Sequence, residues 1–185
     1  MKKGSYGYLK KKKTYQIGLT CFLIIIGLII YIIGYYLNNE QNNNVFTIVA
    51  VLMVLPAAKA LTSFIAVAPF KTANLDKYKE VKSKIPGEAI LLTDLVLTSA
   101  EKIMNLDFLV LIDNNVIGVI GKQNQDSNYI LKYLNKELQK QEYPCDVHIF
   151  NDYKAFLNHF NSIEPKPQDQ SVLNAVKDYI LTYAI

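Results

Sequence analysis

The 185 residues include 20 lysines, no arginine and 16 acidic residues, and the apolar ones fall into two dense blocks before residue 71. The net charge of +4 comes from Lys2, Lys3, Lys10, Lys11, Lys12 and Lys13; from residue 71 onward 13 lysines face 15 acids, which excludes a soluble domain that grips nucleic acid by neutralising phosphates. Cys21 lies in an apolar block and Cys145 far beyond it, so a disulfide framework is excluded as well.

Residues 17–37, IGLTCFLIIIGLIIYIIGYYL, form 21 residues without a charge. As a helix at ~1.5 Å per residue they span ~31 Å, the thickness of a bilayer core. The run is too long for the apolar part of a signal peptide, and no small-residue cleavage site follows. Tyr35 and Tyr36 suit an interfacial belt at its far end.

A second apolar block covers residues 45–70 and is interrupted by Pro56 and Lys59. Its eleven Val, Leu, Ile and Phe residues between 45 and 65 favour insertion by roughly 3 to 7 kcal/mol, against about 3 for one central lysine. A second spanning helix over residues 45–66 is therefore expected. The intervening NNEQNNN can bridge only antiparallel neighbours, so the pair is a hairpin. Lysines flank the opposite end, before the first helix and at Lys71, Lys77, Lys79, Lys82 and Lys84 after the second. The positive-inside rule then puts the basic N-terminus (1–16) and everything after residue 70 in the cytoplasm, in a multi-pass protein of the cell membrane.

Lys59 is the one ionisable residue within an apolar block and hence a candidate functional residue. It can snorkel to the headgroups, mark a helix end followed by an interfacial stretch at 61–70, or face a polar pathway or partner.

After residue 70 the pattern changes to elements of soluble length. Residues 74–85 read as a short charged helix begun by Asn74 and stopped at Pro86-Gly87, and 89–98 as a buried strand. Residues 102–112 and 116–120 read as a β-hairpin turning at Asp113, Asn114 and Asn115. The period-two pattern puts Met104, Leu106, Phe108, Val110 and Ile112 on one face. A helix over 126–142 capped by Asp126 or Ser127, a strand over 145–150, a helix over 152–163, and after Glu164-Pro165-Lys166-Pro167 a last helix from about 168 complete the chain. The last helix packs either on the domain itself or on another copy. The expected class is an α+β membrane protein: a transmembrane hairpin followed by a small α/β domain over 71–185 of order αβββαβαα with a four-stranded mixed sheet.

That order, with the stretch NLDFLVLIDNNVIGVIGK at 105–122, resembles the core of the restriction-endonuclease-like fold and the central hairpin of nuclease-related (NERD) domains over about 60 residues. The resemblance implies a metal-assisted phosphodiesterase site built from an Asp on one strand and Glu-x-Lys on the next. Asp107 stands at the Asp position and Lys122 at the Lys, but Ile120 replaces the Glu, which implies a relative without the activity. The layout also resembles bacterial two-transmembrane-helix proteins without an assigned activity, including LPAAK in the second helix.

Outside that hairpin the chemistry is sparse. His148 and His159 lie at no metal-ligand spacing and are expected to be satisfied or exposed. Cys145 reads as a structural thiol, Gly118 and Gly121 as close-packing or bulge positions, and Ser99 and Ser127 as turn and cap residues. The sequence thus leads to a non-enzymatic, membrane-anchored interaction or sensing module. It needs no metal or cofactor, and its partners are the bilayer together with a second copy or another membrane protein, not nucleic acid. Two alternatives stay open: a membrane-tethered hydrolase that brings Asp107 together with Asp94 or Glu101 on a metal, and an accessory subunit of a transport complex, using Lys59 and the small residues around Pro56.

Overall fold

The computed structural model describes residues 2–121, 125–163 and 170–185. The chain divides into two units: Lys10–Pro69, and Phe70–Ile185 together with the described part of Met1–Leu9.

The first unit holds helix α1 (Tyr8–Leu37) from Lys10 onward, α2 (Val45–Leu52) and α3 (Val54–Val67). α1 starts well before the apolar run, because the lysines that precede it are good helix formers and nothing there breaks the helix. α2 and α3 are one apolar stretch interrupted at Met53. The cause is Pro56: its ring lacks a donor and crowds the carbonyl four residues back, on Leu52. α1 and the Val45–Val67 stretch are both long and apolar enough to cross a membrane, with mean hydropathies of 2.8 and 2.1.

The helices run antiparallel, since Gln16 Nε2 donates to Ser63 Oγ (3.0 Å) near one end and Tyr31 Oη to Asn42 Oδ1 (3.0 Å) near the other. Asn44 caps α2 by accepting from Thr47 N at 2.9 Å. The close approach is made by small residues. A Cβ on Gly34 would collide with Phe46, and Ala50, Ala57 and Ala60 are buried.

The second unit contains α4 (Leu75–Lys84), β1 (Ile90–Thr98), β2 (Ile103–Ile112), β3 (Asn115–Ile120), α5 (Ser127–Lys140), β4 (Asp146–Phe150), α6 (Tyr153–Asn161) and α7 (Gln170–Thr182). The strands form a mixed sheet in the order β1-β2-β3-β4, antiparallel except for the parallel β3–β4 pair. α+β architecture and the four-stranded mixed sheet agree with the sequence reading. Asp113 and Asn114 both have positive φ (44° and 55°), as a two-residue type I′ hairpin requires.

Helices cover both faces. α5 and α7 bury Ile130, Leu134, Leu138, Leu173, Val176 and Ile180 on one, and α4 and α6 bury Val81, Phe156, Leu157 and Phe160 on the other. The last helix therefore packs on the domain itself.

One sequence expectation needs correction. Met104 and Leu106 do not share a face with Phe108, Val110 and Ile112: the first two join the α5/α7 core, the others the α4/α6 core. A bulge at Asp107 inserts one extra residue relative to β3 and inverts the side-chain alternation.

The outer edge of β1 is covered by both terminal segments. Thr93 N donates to Gly4 O (2.9 Å), Thr98 N to Tyr183 O (3.0 Å), and Ile185 N to Val96 O (2.9 Å). These bonds occupy donors and acceptors that would otherwise recruit a foreign strand.

Candidate functional site

Asp94 lies in the middle of β1, among Leu92, Leu95 and Val96, and is 1% exposed. Its φ is +53°, a conformation that Asp tolerates better than the β-branched residues typical of strands. The local twist inverts the alternation of β1, so that Leu92 and Leu95 join the same core although they are three residues apart. It also turns the carboxylate away from the ladder. Oδ2 accepts from Gly7 N at 2.9 Å and Oδ1 from Ala73 N at 2.9 Å, with a further backbone contribution from Leu9. The buried Thr72 hydroxyl lies close enough to lower the carboxylate's pKa but does not reach full hydrogen-bond geometry. Burial raises the Asp94 pKa, and these donors hold the rise in check. Asp94 thus ties the segment before residue 10 and the segment after residue 69 to the middle of the sheet.

Asp107 is the bulge residue of β2 and stands at the same level. Its half-buried carboxylate has no hydrogen bond or ion pair among the described residues. Its pKa rises to about 6, mainly through burial, then through the charge of Asp94, against a lowering by Lys77. Around it the backbone is held firmly: Asn105 N donates to Gln125 Oε1 (2.7 Å), Gln125 Nε2 to Asn105 O (3.2 Å), and Gly121 N to Asn105 O (3.1 Å). Gly121 is glycine because a Cβ there would run into the Asp107 and Asn105 side chains.

The other sequence candidates lie elsewhere. Glu101 is exposed in the β1–β2 turn, at least four residues along the strand from Asp94, or ~13 Å at ~3.3 Å per residue. Ile120 is buried and pairs with Leu106. Lys122 falls outside the described residues. Lys59, on α3, is exposed and lines a groove of about 460 Å³ with Tyr15, Gln16, Leu19, Pro56 and Ser63. It therefore stands level with the start of the apolar run of α1. Among the described residues no group of three or more His, Cys, Asp or Glu side chains converges.

One pair escaped the sequence. His148 on β4 and His159 on α6 pack with ring centroids 4.6 Å apart and their planes tilted by 52°, and His159 Nε2 is buried without a hydrogen-bond partner among the described residues. Neither histidine has a spacing motif, and only the packing of α6 on β4 joins them. Burial pushes the Cys145 thiol up, away from the reactive thiolate form.

No protein-family model, curated protein or solved structure matches the chain.

Proposed function

We propose that this chain is a membrane-anchored, non-enzymatic sensing or interaction module, its helical hairpin crossing the cell membrane and its α/β unit working in the cytoplasm. One observation carries the anchor. Among the described residues, every exposed large apolar side chain except Leu75 and Ile103 belongs to the Lys10–Pro69 unit, including Phe22, Ile25, Leu28, Ile48 and Leu55 at 50% exposure or more. A surface of that extent and continuity has hydrocarbon as its natural solvent. Lys59 then sits level with Tyr15 and Gln16, where its ammonium reaches the headgroups by snorkelling. With lysines on that side and the NNEQNNN loop on the other, both termini face the cytoplasm.

Membranes from cells making the protein test the anchor: it is expected to stay in the pellet after alkaline carbonate washing. With Cys21 and Cys145 replaced by serine, a single cysteine at Asn42 is expected to react with a membrane-impermeant maleimide on intact cells, and one at Asn158 only after lysis. Release by carbonate, or the reverse labelling, overturns the reading.

A hydrolase related to the nuclease-like fold is the second reading, favoured only by the half-buried Asp107 carboxylate beside Asp94. Asp94 spends its acceptors on backbone donors, which leaves Asp107 alone as a metal ligand from this pair. Divalent-dependent cleavage of DNA or RNA that Asp107→Asn abolishes would favour this second reading over the first.

A further inference from the structure

At the outer edge of β1 the α/β unit has a cavity of about 540 Å³, within the ~300–1,000 Å³ range of small-molecule sites. Its floor is Ile90, Leu91 and Leu92, and its walls come from α4, α7 and the segment formed by residues 2–6. Among the described residues four lysines line it: Lys2, Lys3, Lys82 and Lys177. Among the described residues no carboxylate does; Glu88 and Asp178 neighbour lining residues without lining the cavity themselves. The asymmetry is local. Counting Lys2 and Lys3 with the residues from 70 onward, the unit holds 15 lysines and 15 acids, so its charge as a whole is balanced.

The cationic lining is built into the fold. Lys3 Nζ is fixed on the Ala184 carbonyl, and Lys177 Nζ is held by Asn174 Oδ1 at 2.7 Å and by the exposed Asp178 carboxylate at 3.3 Å. Tyr6 stacks on Tyr78 with centroids 4.3 Å apart, and Lys82 Nζ lies 5.7 Å from the Tyr78 ring. Gly4, at φ +74°, lets the segment turn tightly over Leu92, where a Cβ would approach Leu92 Cδ2 to 2.8 Å. Lys2 and Lys82 have no anionic partner among the described residues, and lysine ammoniums serve phosphate as point charges.

We infer that this cavity binds a small phosphorylated anion, up to about the size of a nucleotide, with Lys82 and Lys177 as its principal contacts and Lys2 and Lys3 closing over it. The phosphate belongs either to a soluble metabolite or to an acidic lipid headgroup. The inference deepens the sensing reading by naming the ligand class. It fails separately: the carbonate wash decides the anchor, and ligand protection decides the cavity.

The test uses the full chain in phosphatidylcholine nanodiscs and follows amide exchange of residues 2–6 and of α4. One arm adds ADP at about 1 mM; the other replaces part of the phosphatidylcholine with phosphatidic acid. Slowing by about tenfold in at least one arm is expected, the protection given when ligand exceeds its dissociation constant about tenfold. The loss of this protection in Lys82→Gln and in Lys177→Gln is part of the expected result, with Lys132→Gln on α5 behaving as the parent and β2 exchange confirming that every variant is folded. Protection by ADP assigns a soluble ligand, and protection by phosphatidic acid assigns a headgroup. No protection in either arm, or protection that survives both substitutions, overturns the inference.

Discussion

Asp94 and Asp107 face each other at the one level of the β1–β2 ladder that is unpaired, between Thr93↔Phe108 and Leu95↔Leu106. Both strands invert their alternation there, so the register survives while the two core faces exchange residues. The two carboxylates have opposite circumstances. Asp94 is turned out of the ladder onto backbone donors, whereas Asp107 keeps its charge half-buried with little to stabilise it.

Asp94→Ala is expected to cost about 3–5 kcal/mol, because it leaves the Gly7 and Ala73 amides without their acceptor and puts alanine at positive φ. Asp94→Asn keeps one acceptor and tolerates the backbone, so about 1–3 kcal/mol is expected. Urea unfolding of the full chain in mild detergent measures the difference. Limited proteolysis is expected to cut within residues 2–9 first in the alanine variant. Equal stability of both variants and parent would remove the clamp from the account.

Asp107 predicts a pH dependence of the opposite kind from an ordinary ion-paired carboxylate. Below about pH 4 both folded and unfolded chains hold its proton; between that value and about 6 the unfolded chain ionises first. The folded state then binds more protons, so stability falls as pH rises through this window and stays reduced above it. Asp107→Asn is therefore expected to stabilise the protein at pH 8 by about 1–2 kcal/mol, discounted for the partial exposure of the group, and to change nothing at pH 4. Thermal unfolding at the two pH values decides, and destabilisation at pH 8 would mean that Asp107 has a partner that matters.

The elements were legible because their local chemistry is strong. Asn74, Asp126 (with Ser127 as the alternative) and Asp152 open the helices read from the sequence, and each accepts from the first turn of its helix, at Asp76 and Lys77, Tyr129 and Ala155. The hairpin turn was legible from residues that tolerate positive φ. The irregularity at Asp94 and Asp107 was not, because neither position is itself a glycine and the donors that hold Asp94 come from residues 7, 9 and 73; Gly121, which makes room for Asp107, signalled only close packing or a bulge on the neighbouring strand. The lysine-lined cavity was hidden for the same reason. Positions 2, 3, 82 and 177 have no pattern in common and meet only because the terminal segments cover the edge of β1.

Two glycines of α1 make contrasting predictions about the hairpin. A side chain at Gly34 has no room against Phe46, whereas a Cβ at Gly27 would meet Ala50 O and Met53 Cβ at an ordinary 3.5 Å. Gly34→Leu is expected to separate α1 from α2 and to expose the 38–44 connection to protease in detergent. Gly27→Ala is expected to behave as the parent or slightly better, since alanine also favours the helix by about 1 kcal/mol. Protection of the connection in the leucine variant would contradict the tight contact.

The histidine pair gives the domain an acid-sensitive contact. Burial lowers the His159 pKa, and the neighbouring His148 lowers it further, so a neutral ring packs between His148 and Phe150 at pH 7. On acidification below the ordinary histidine range, about 6.5, the unfolded chain takes up the proton first. The stability that depends on the neutral ring is complete above that value and is lost as pH falls below it. Protection factors of α6 amides, corrected for intrinsic exchange, are thus expected to drop between pH 7.5 and 5.5 while those of β2 stay constant. In His159→Phe, which keeps an aromatic ring against Phe150 and removes the titrating group, the drop is expected to vanish. If it persists, the acid sensitivity belongs to other groups and the pair is only packing.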